Sequence, residues 1–262
     1  WLGGRYKPFN PQHGTGMFRR TIPEVRLHDR VGLLKILDTF RREMDTRGNM
    51  AALDSHAQEA MDMLLSGRIA EALDLSKEPK VTREKYLRGS TVRWRKQTER
   101  LLLARRLVEH GARYVSLNWG GYLGFDSHDN NYPKMRSILP PFDCALAALI
   151  EDLHERGLDK DVLVVAWGEF GRTPKVNEKG GRDHWPPVQC ALIIGGGLKM
   201  GQVIGATDRM AGEPIERPVH VHEILATIYR HCGIDPEETQ LIDPTGRPRY
   251  LLDHRKPIAE LI

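Results

Sequence analysis

No apolar run in this 262-residue sequence approaches the roughly 18 residues that a membrane-spanning helix requires, so no bilayer span is expected. Cysteine is scarce as well. Cys144, Cys190 and Cys232 stand far apart among apolar neighbours, with no CxxC pair and no short-spaced series, which excludes a disulfide scaffold and predicts reduced, buried side chains. The sequence has no Gly-x-Ser-x-Gly elbow to present a serine nucleophile on a strand-to-helix turn. Neither sign of charge dominates: 39 basic residues are spread along the chain with 35 acidic ones, so the net charge of +4 is a small excess and no concentrated patch. The densest basic stretch, Arg93 to Arg106, surrounds Trp94, yet Leu101, Ala104 and Val108 recur within and just beyond it at helical spacing. That spacing predicts a helix with a solvated basic face and no nucleic-acid partner. Trp1 to Phe9 lack the charged-then-apolar order of a signal peptide.

What is present reads as an ordinary globular protein, with 40% hydrophobic and 28% charged residues and no biased tract. The length suits one domain over residues 1–262, mainly helical over 24–110 and α/β over 112–262. Leu33, Leu37, Phe40 and Met44 form one apolar stripe ending near Gly48, and Leu53, Ala57 and Leu64 form another ending near Gly67. Shorter helical pieces are expected at Ile69 to Leu73 and Arg83 to Leu87, then a longer helix from Arg93 to His110, stopped by Gly111. Beyond it, Tyr114 to Leu117 reads as a strand, and Phe142, Leu146, Leu149 and Leu153 mark a helix ended by Gly157. Val162 to Trp167 and Val188 to Ile194 are continuous apolar runs of the kind that strands covered on both faces require. A last helix spans about Val221 to Cys232. Strands separated by helical crossovers predict a mainly parallel central sheet with helices on both faces.

Ligands of parallel sheets bind beyond the carboxyl ends of the strands, so the loops there are where chemistry is expected. The loop from Asn118 to Asn131 holds Asp126, His128, Asp129, Asn130 and Asn131; the loop from Gly168 to Pro187 holds Glu169, Arg172, Arg182, Asp183 and His184. Asp-x-His and Asp-His pairs offer hard oxygen and imidazole nitrogen together, a donor set suited to zinc, manganese or magnesium. The metal ligands expected are Asp126, His128, Asp183 and His184. Loop carboxylates beside exposed histidines also occur as simple turn caps. Glu169 directly follows an apolar strand and projects toward the crevice. Arg172 has the planar donor fork that suits a phosphate or sulfate oxyanion, and equally suits a pairing with Glu169 or another carboxylate. Asn130, Asn131 and Arg182 complete the polar groups expected to meet a substrate. His222-Glu223 starts like a zinc-protease helix, but Ala226 stands where the second histidine belongs. Gly195 to Gly197 precede a strand-like segment, Gln202 to Ala206, and read as a tight turn, not a phosphate cradle.

The stretch VVAWGEFGRTPKVNEKGGRDHWP, Val164 to Pro186, resembles the signature of the bacterial family known as domain of unknown function 1501. LSKEP at Leu75 to Pro79, LLLARRLVEHGARYVSLN at Leu101 to Asn118 and IGGGLKMGQVIGATD at Ile194 to Asp208 resemble it too, and the likeness covers nearly the whole chain. That family is similar to the alkaline-phosphatase and sulfatase superfamily. The resemblance implies a three-layer α/β fold, a divalent metal centre (zinc, manganese, magnesium or calcium) and hydrolysis of a small anionic ester or a sulfated or phosphorylated glycan. A non-catalytic protein holding such a glycan or anion is the alternative. On the same analogy Asp126 and His128 form part of the metal shell, Glu169 takes the place of the superfamily's acidic residue at the end of a strand, and Asp183 with His184 lie in the loop that closes over the site; Arg172, read from its donor fork, joins Glu169 as the expected catalytic residues. The superfamily draws its first ligand and its nucleophile from an amino-terminal strand and helix. The chain is therefore expected to be the carboxy-terminal portion of a longer protein, exported to the periplasm or beyond.

Overall fold

The computed structural model describes residues 68–120 and 124–262; the expected helices at Leu33 to Met44 and Leu53 to Leu64 lie outside them. The described chain falls into two compact units, one containing residues 68–79 and 106–115, the other residues 80–105 and 116–262. In the first, helix α1 (Arg68–Leu73) runs into a 3-10 turn at Leu75–Lys77, capped by Asp74, whose carboxylate accepts from the Ser76 amide at 3.0 Å. The last carbonyls of a helix have no partner within it. Here the buried guanidinium of Arg106 donates to two of them, Glu71 and Ala72, while also pairing with Glu78. A cation at a helix carboxyl end is favoured by the helix dipole as well.

The second unit is built on α2 (Lys80–Leu87), α3 (Arg95–Glu109), of which residues 95–105 belong to it, and α4 (Asn131–Glu155). Tyr86, Leu101, Leu102, Ala145, Leu149 and Leu153 are among its buried residues. Asp152 on α4 gathers the helices: Arg105 Nε and Tyr86 Oη both donate to its Oδ2 at 2.8 Å, and Arg156 Nε donates to Oδ1 at 2.7 Å. Burial pushes the Tyr86 hydroxyl far above its ordinary range, and the Asp152 charge adds to the shift. The basic face of α3 is therefore not simply solvated, since Arg105 is 1% and Arg106 5% exposed. Such burial is tolerable because their donors meet carboxylates and carbonyls.

The extended segments follow: β1 (Leu163–Trp167), β2 (Gly171–Arg172), β3 (His184–Trp185), β4 (Ala191–Gly195), β5 (Ala206–Thr207), β6 (Pro214–Glu216), helix α5 (Val221–His231), β7 (Gln240–Ile242) and β8 (Pro248–Tyr250). The fold is mixed α/β. Each described strand belongs to an antiparallel pair, β1 with β4, β2 with β3, β5 with β6 and β7 with β8, so the parallel central sheet expected from the sequence is not found among the described residues. The physical reason lies in the connection from β1 to β4: residues 168–190 contain the β2–β3 ribbon and no helix, and a parallel return needs a crossover. The β1–β4 ribbon is half-buried, with Trp167 and Leu192 exposed. Its register partners Val165 and Ile193 pack with Ile204, Val219 and Ile228 against Ile224 of α5 and against Ile258 and Leu261 near the carboxyl end. Tyr114 to Leu117 form no strand.

Gly157 and Gly233, at φ 69° and 77°, close α4 and α5 in the left-handed conformation that glycine adopts without a Cβ clash. Arg217 ties the start of α5 to the final turn, donating to Glu223 at 2.9 Å and to Glu260 at 2.6 Å. All three cysteines are free, but Cys144 is half-buried while Cys190 and Cys232 are exposed. Apolar neighbours in sequence did not bury the latter two, because Cys190 lies just outside β4 and Cys232 caps α5. No helix among the described residues is long and apolar enough to cross a membrane.

Candidate metal centre

The two loops singled out by the sequence meet. Arg182 N donates to Ser127 O at 2.9 Å, Asn130 N to Lys179 O at 3.1 Å and Asn131 N to Gly180 O at 2.9 Å, so residues 127–131 and 179–182 run together as an irregular ribbon. Gly181 makes the approach possible, since a Cβ there would overlap the His128 carbonyl. Ser127, fully buried, adds a hydroxyl bond to Asn131 Oδ1 at 2.5 Å. On the other side of the site, β2 and β3 pair with Arg172 directly opposite His184, which sends both side chains off the same face of the ribbon.

Both reach one atom. Asp126 Oδ1 lies 2.5 Å from Arg172 Nη2, 3.1 Å from His184 Nε2 and 3.0 Å from His128 Nε2, and the two Nε2 atoms are 3.2 Å apart. The side chains of Asp126, His128 and His184 are 37%, 47% and 48% exposed, so the group opens to solvent. Behind it, His128 Nδ1 is 2.7 Å from Asp183 Oδ1. An ionised carboxylate can only accept, so the ring nitrogen of His128 that faces Asp183 donates to it, and Nε2 of the same ring faces Asp126 and His184. Asn177 holds Asp183 in turn, its Nδ2 lying 3.3 and 3.2 Å from the two carboxylate oxygens. Its Oδ1 accepts from Lys179 N and Gly181 N at 3.0 and 2.9 Å, an Asx turn that shapes the loop.

The bond from Arg172, followed by that from His184, holds the Asp126 carboxyl at about 2, and the bond from His128, followed by that from Asn177, holds Asp183 below the usual carboxylate range. Both are anionic at neutral pH. Asp126, His128 and His184 form a group whose donor atoms could hold a metal ion. A tetrahedral ion with ligand bonds near 2.05 Å separates its ligands by about 3.3 Å, and an octahedral one separates neighbours by about 2.9 Å. The 3.0, 3.1 and 3.2 Å edges of the triangle lie between these values.

Asp183 holds the His128 ring from outside this triangle. Glu169, exposed in the turn after β1, stands outside the triangle as well. Arg182 Nη1 donates to the carbonyls of Thr173 and Pro174 at 2.6 Å each, which fastens its own loop. Asn130 starts α4 in a left-handed conformation, φ 46°, and makes no side-chain cap bond. Asn131 accepts from Ser127 and does not join the triangle. Two residues passed over in the sequence matter here. Asn177 could have been noticed from Asn177-x-x-Gly180-Gly181, a turn signature. Phe170, whose ring lies 4.4 Å from that of His184, carries no local signal.

A family model described as "Protein of unknown function (DUF1501)" matches residues 1–262. No curated protein and no solved structure matches the chain.

Proposed function

We propose, for a chain that belongs to the DUF1501 family over residues 1–262, that Asp126, His128 and His184 bind a divalent metal ion used to hydrolyse a phosphate or sulfate ester. The observation that carries this reading is the triangle of one carboxylate oxygen and two imidazole nitrogens with edges of 3.0–3.2 Å. Two imidazoles with one carboxylate favour zinc or manganese over calcium, which prefers six or more oxygens. When bound, such an ion supplies Lewis-acid charge to the ester oxyanion and lowers the pKa of an attacking hydroxyl or water.

The protein's own groups do the rest. Asp183 and Asn177 keep the His128 ring in the tautomer whose Nε2 is a ligand. Arg172, whose guanidinium also passes 6.0 Å from the Phe170 ring centroid, has a donor fork suited to two oxygens of a tetrahedral anion. Glu169, just beyond β1, is the carboxylate assigned to proton exchange with solvent. This reading groups the chain with enzymes of the alkaline-phosphatase and sulfatase type acting outside the cytoplasm.

A panel of aryl phosphates and aryl sulfates, offered with zinc or manganese to the full-length protein, tests it. Turnover above background that disappears in His184→Ala is the expected result. Saturable binding of sulfated or phosphorylated glycans with no turnover of any ester would replace hydrolysis by anion binding.

A further inference from the structure

Arg172 is the one guanidinium among the described residues bonded to an atom of the triangle, and it uses the same Oδ1 that a cation there would use. A carboxylate oxygen has lone pairs for two partners, so the geometry alone permits both. The charges do not combine as easily. Nη2 is 2.5 Å from Oδ1, and a divalent ion would lie about 2.1 Å from the same oxygen, so the two positive groups would be separated by less than about 5 Å. At that separation, even with the dielectric constant of bulk water, repulsion between a divalent ion and a guanidinium corresponds to about a tenfold loss of affinity. Arg172 is 20% exposed at its side chain, so water screens it incompletely.

We propose that Arg172 acts as a surrogate cation at Asp126, competing with the divalent ion for Oδ1 and leaving that oxygen when the ion enters. The inference rests on the metal reading above and adds to it a regulatory role for Arg172. Asp126 and Asp183 place two negative charges beside the two imidazoles, and a cation on Oδ1 offsets them. Arg172 provides that charge, and the competition sets how much free metal is needed to load the site. The departing guanidinium comes from β2, opposite His184, so it remains beside the loaded centre.

Calorimetric titration of the full-length protein with zinc or manganese tests the competition, using Arg172→Gln, which keeps an amide donor without the charge, and Arg172→Lys, which keeps the charge without the planar fork. Arg172→Gln is expected to bind the ion about tenfold more tightly than wild type at low ionic strength, with the difference shrinking as salt rises, and Arg172→Lys to stay near wild type. Equal or weaker binding by Arg172→Gln, with wild type binding normally, overturns the surrogate role and leaves the metal site standing. No binding by any of the three proteins overturns both.

Discussion

Asp152 and Asp126 each accept from an arginine, yet the side chain of the first is 5% exposed and that of the second 37%. Around Asp152 the partners are donors: Arg105, Arg156 and the Tyr86 hydroxyl share its two oxygens. Around Asp126 one guanidinium donor, Arg172, is joined by two imidazole nitrogens, groups that can either donate a proton or offer a lone pair. Asp152 is a buried charge matched by three donors, which ties α2, α3 and α4 together. Asp126 belongs to a solvent-facing group of one carboxylate and two imidazoles, whose donor atoms could hold a cation. Ion pairs of similar composition thus differ in burial and in the groups around them, and on the proposed reading one serves packing and the other metal binding.

Removing the aspartate from each cluster should separate them most sharply. Asp152→Ala leaves Arg105 buried without its carboxylate, a change that costs about 3–5 kcal/mol, so urea unfolding should show a large fall in stability. Asp126→Ala should leave the unfolding midpoint close to wild type while abolishing metal binding. A comparable loss of stability in both variants would erase the distinction. A smaller effect is expected from Asp183→Asn, which preserves shape but removes the charge that orients His128. Metal affinity should fall about 10–100-fold without disappearing, as for other outer carboxylates behind a ligand histidine. Complete loss would make Asp183 a direct ligand.

The smallest effect concerns a pair of neither kind, half-buried and far from a full burial penalty. Arg217 holds Glu260 at about 2, against an ordinary 4.5. A carboxylate with a depressed pKa contributes stability that is present above its ordinary value and lost as pH falls toward the folded one. Arg217→Met should therefore be slightly less stable than wild type at pH 7, and the gap should close between about 4.5 and 2. A gap that stays constant over that range would show that Arg217 acts through packing of its stem.

Much of this was legible beforehand, and the misses have physical causes. Apolar periodicity announced α3, α4 and α5, and the apolar runs announced β1 and β4, because burial of one face writes itself into sequence spacing. Strand direction was not legible: an apolar run looks alike in parallel and antiparallel pairs, and the absence of a helix between Trp167 and Ala191 was the clue that mattered. Asp126, His128 and His184 could be nominated from residue type and position after predicted strands. The separate place of Asp183 could not, since adjacent residues on β3 and its approach point to different sides, and only the β2–β3 register decides that His184 meets Asp126 while Asp183 meets Nδ1 of His128. Arg105 and Arg106 illustrate the converse limit, because nothing local distinguishes a buried arginine from a solvated one before its partners are known.

The most direct test of the account is metal content after equilibrium dialysis, compared between wild type and the folded variants His128→Ala and His184→Ala. The account predicts about one equivalent of zinc or manganese per chain in wild type and under about a tenth of that in either variant. Stoichiometric metal retained by both variants would contradict it.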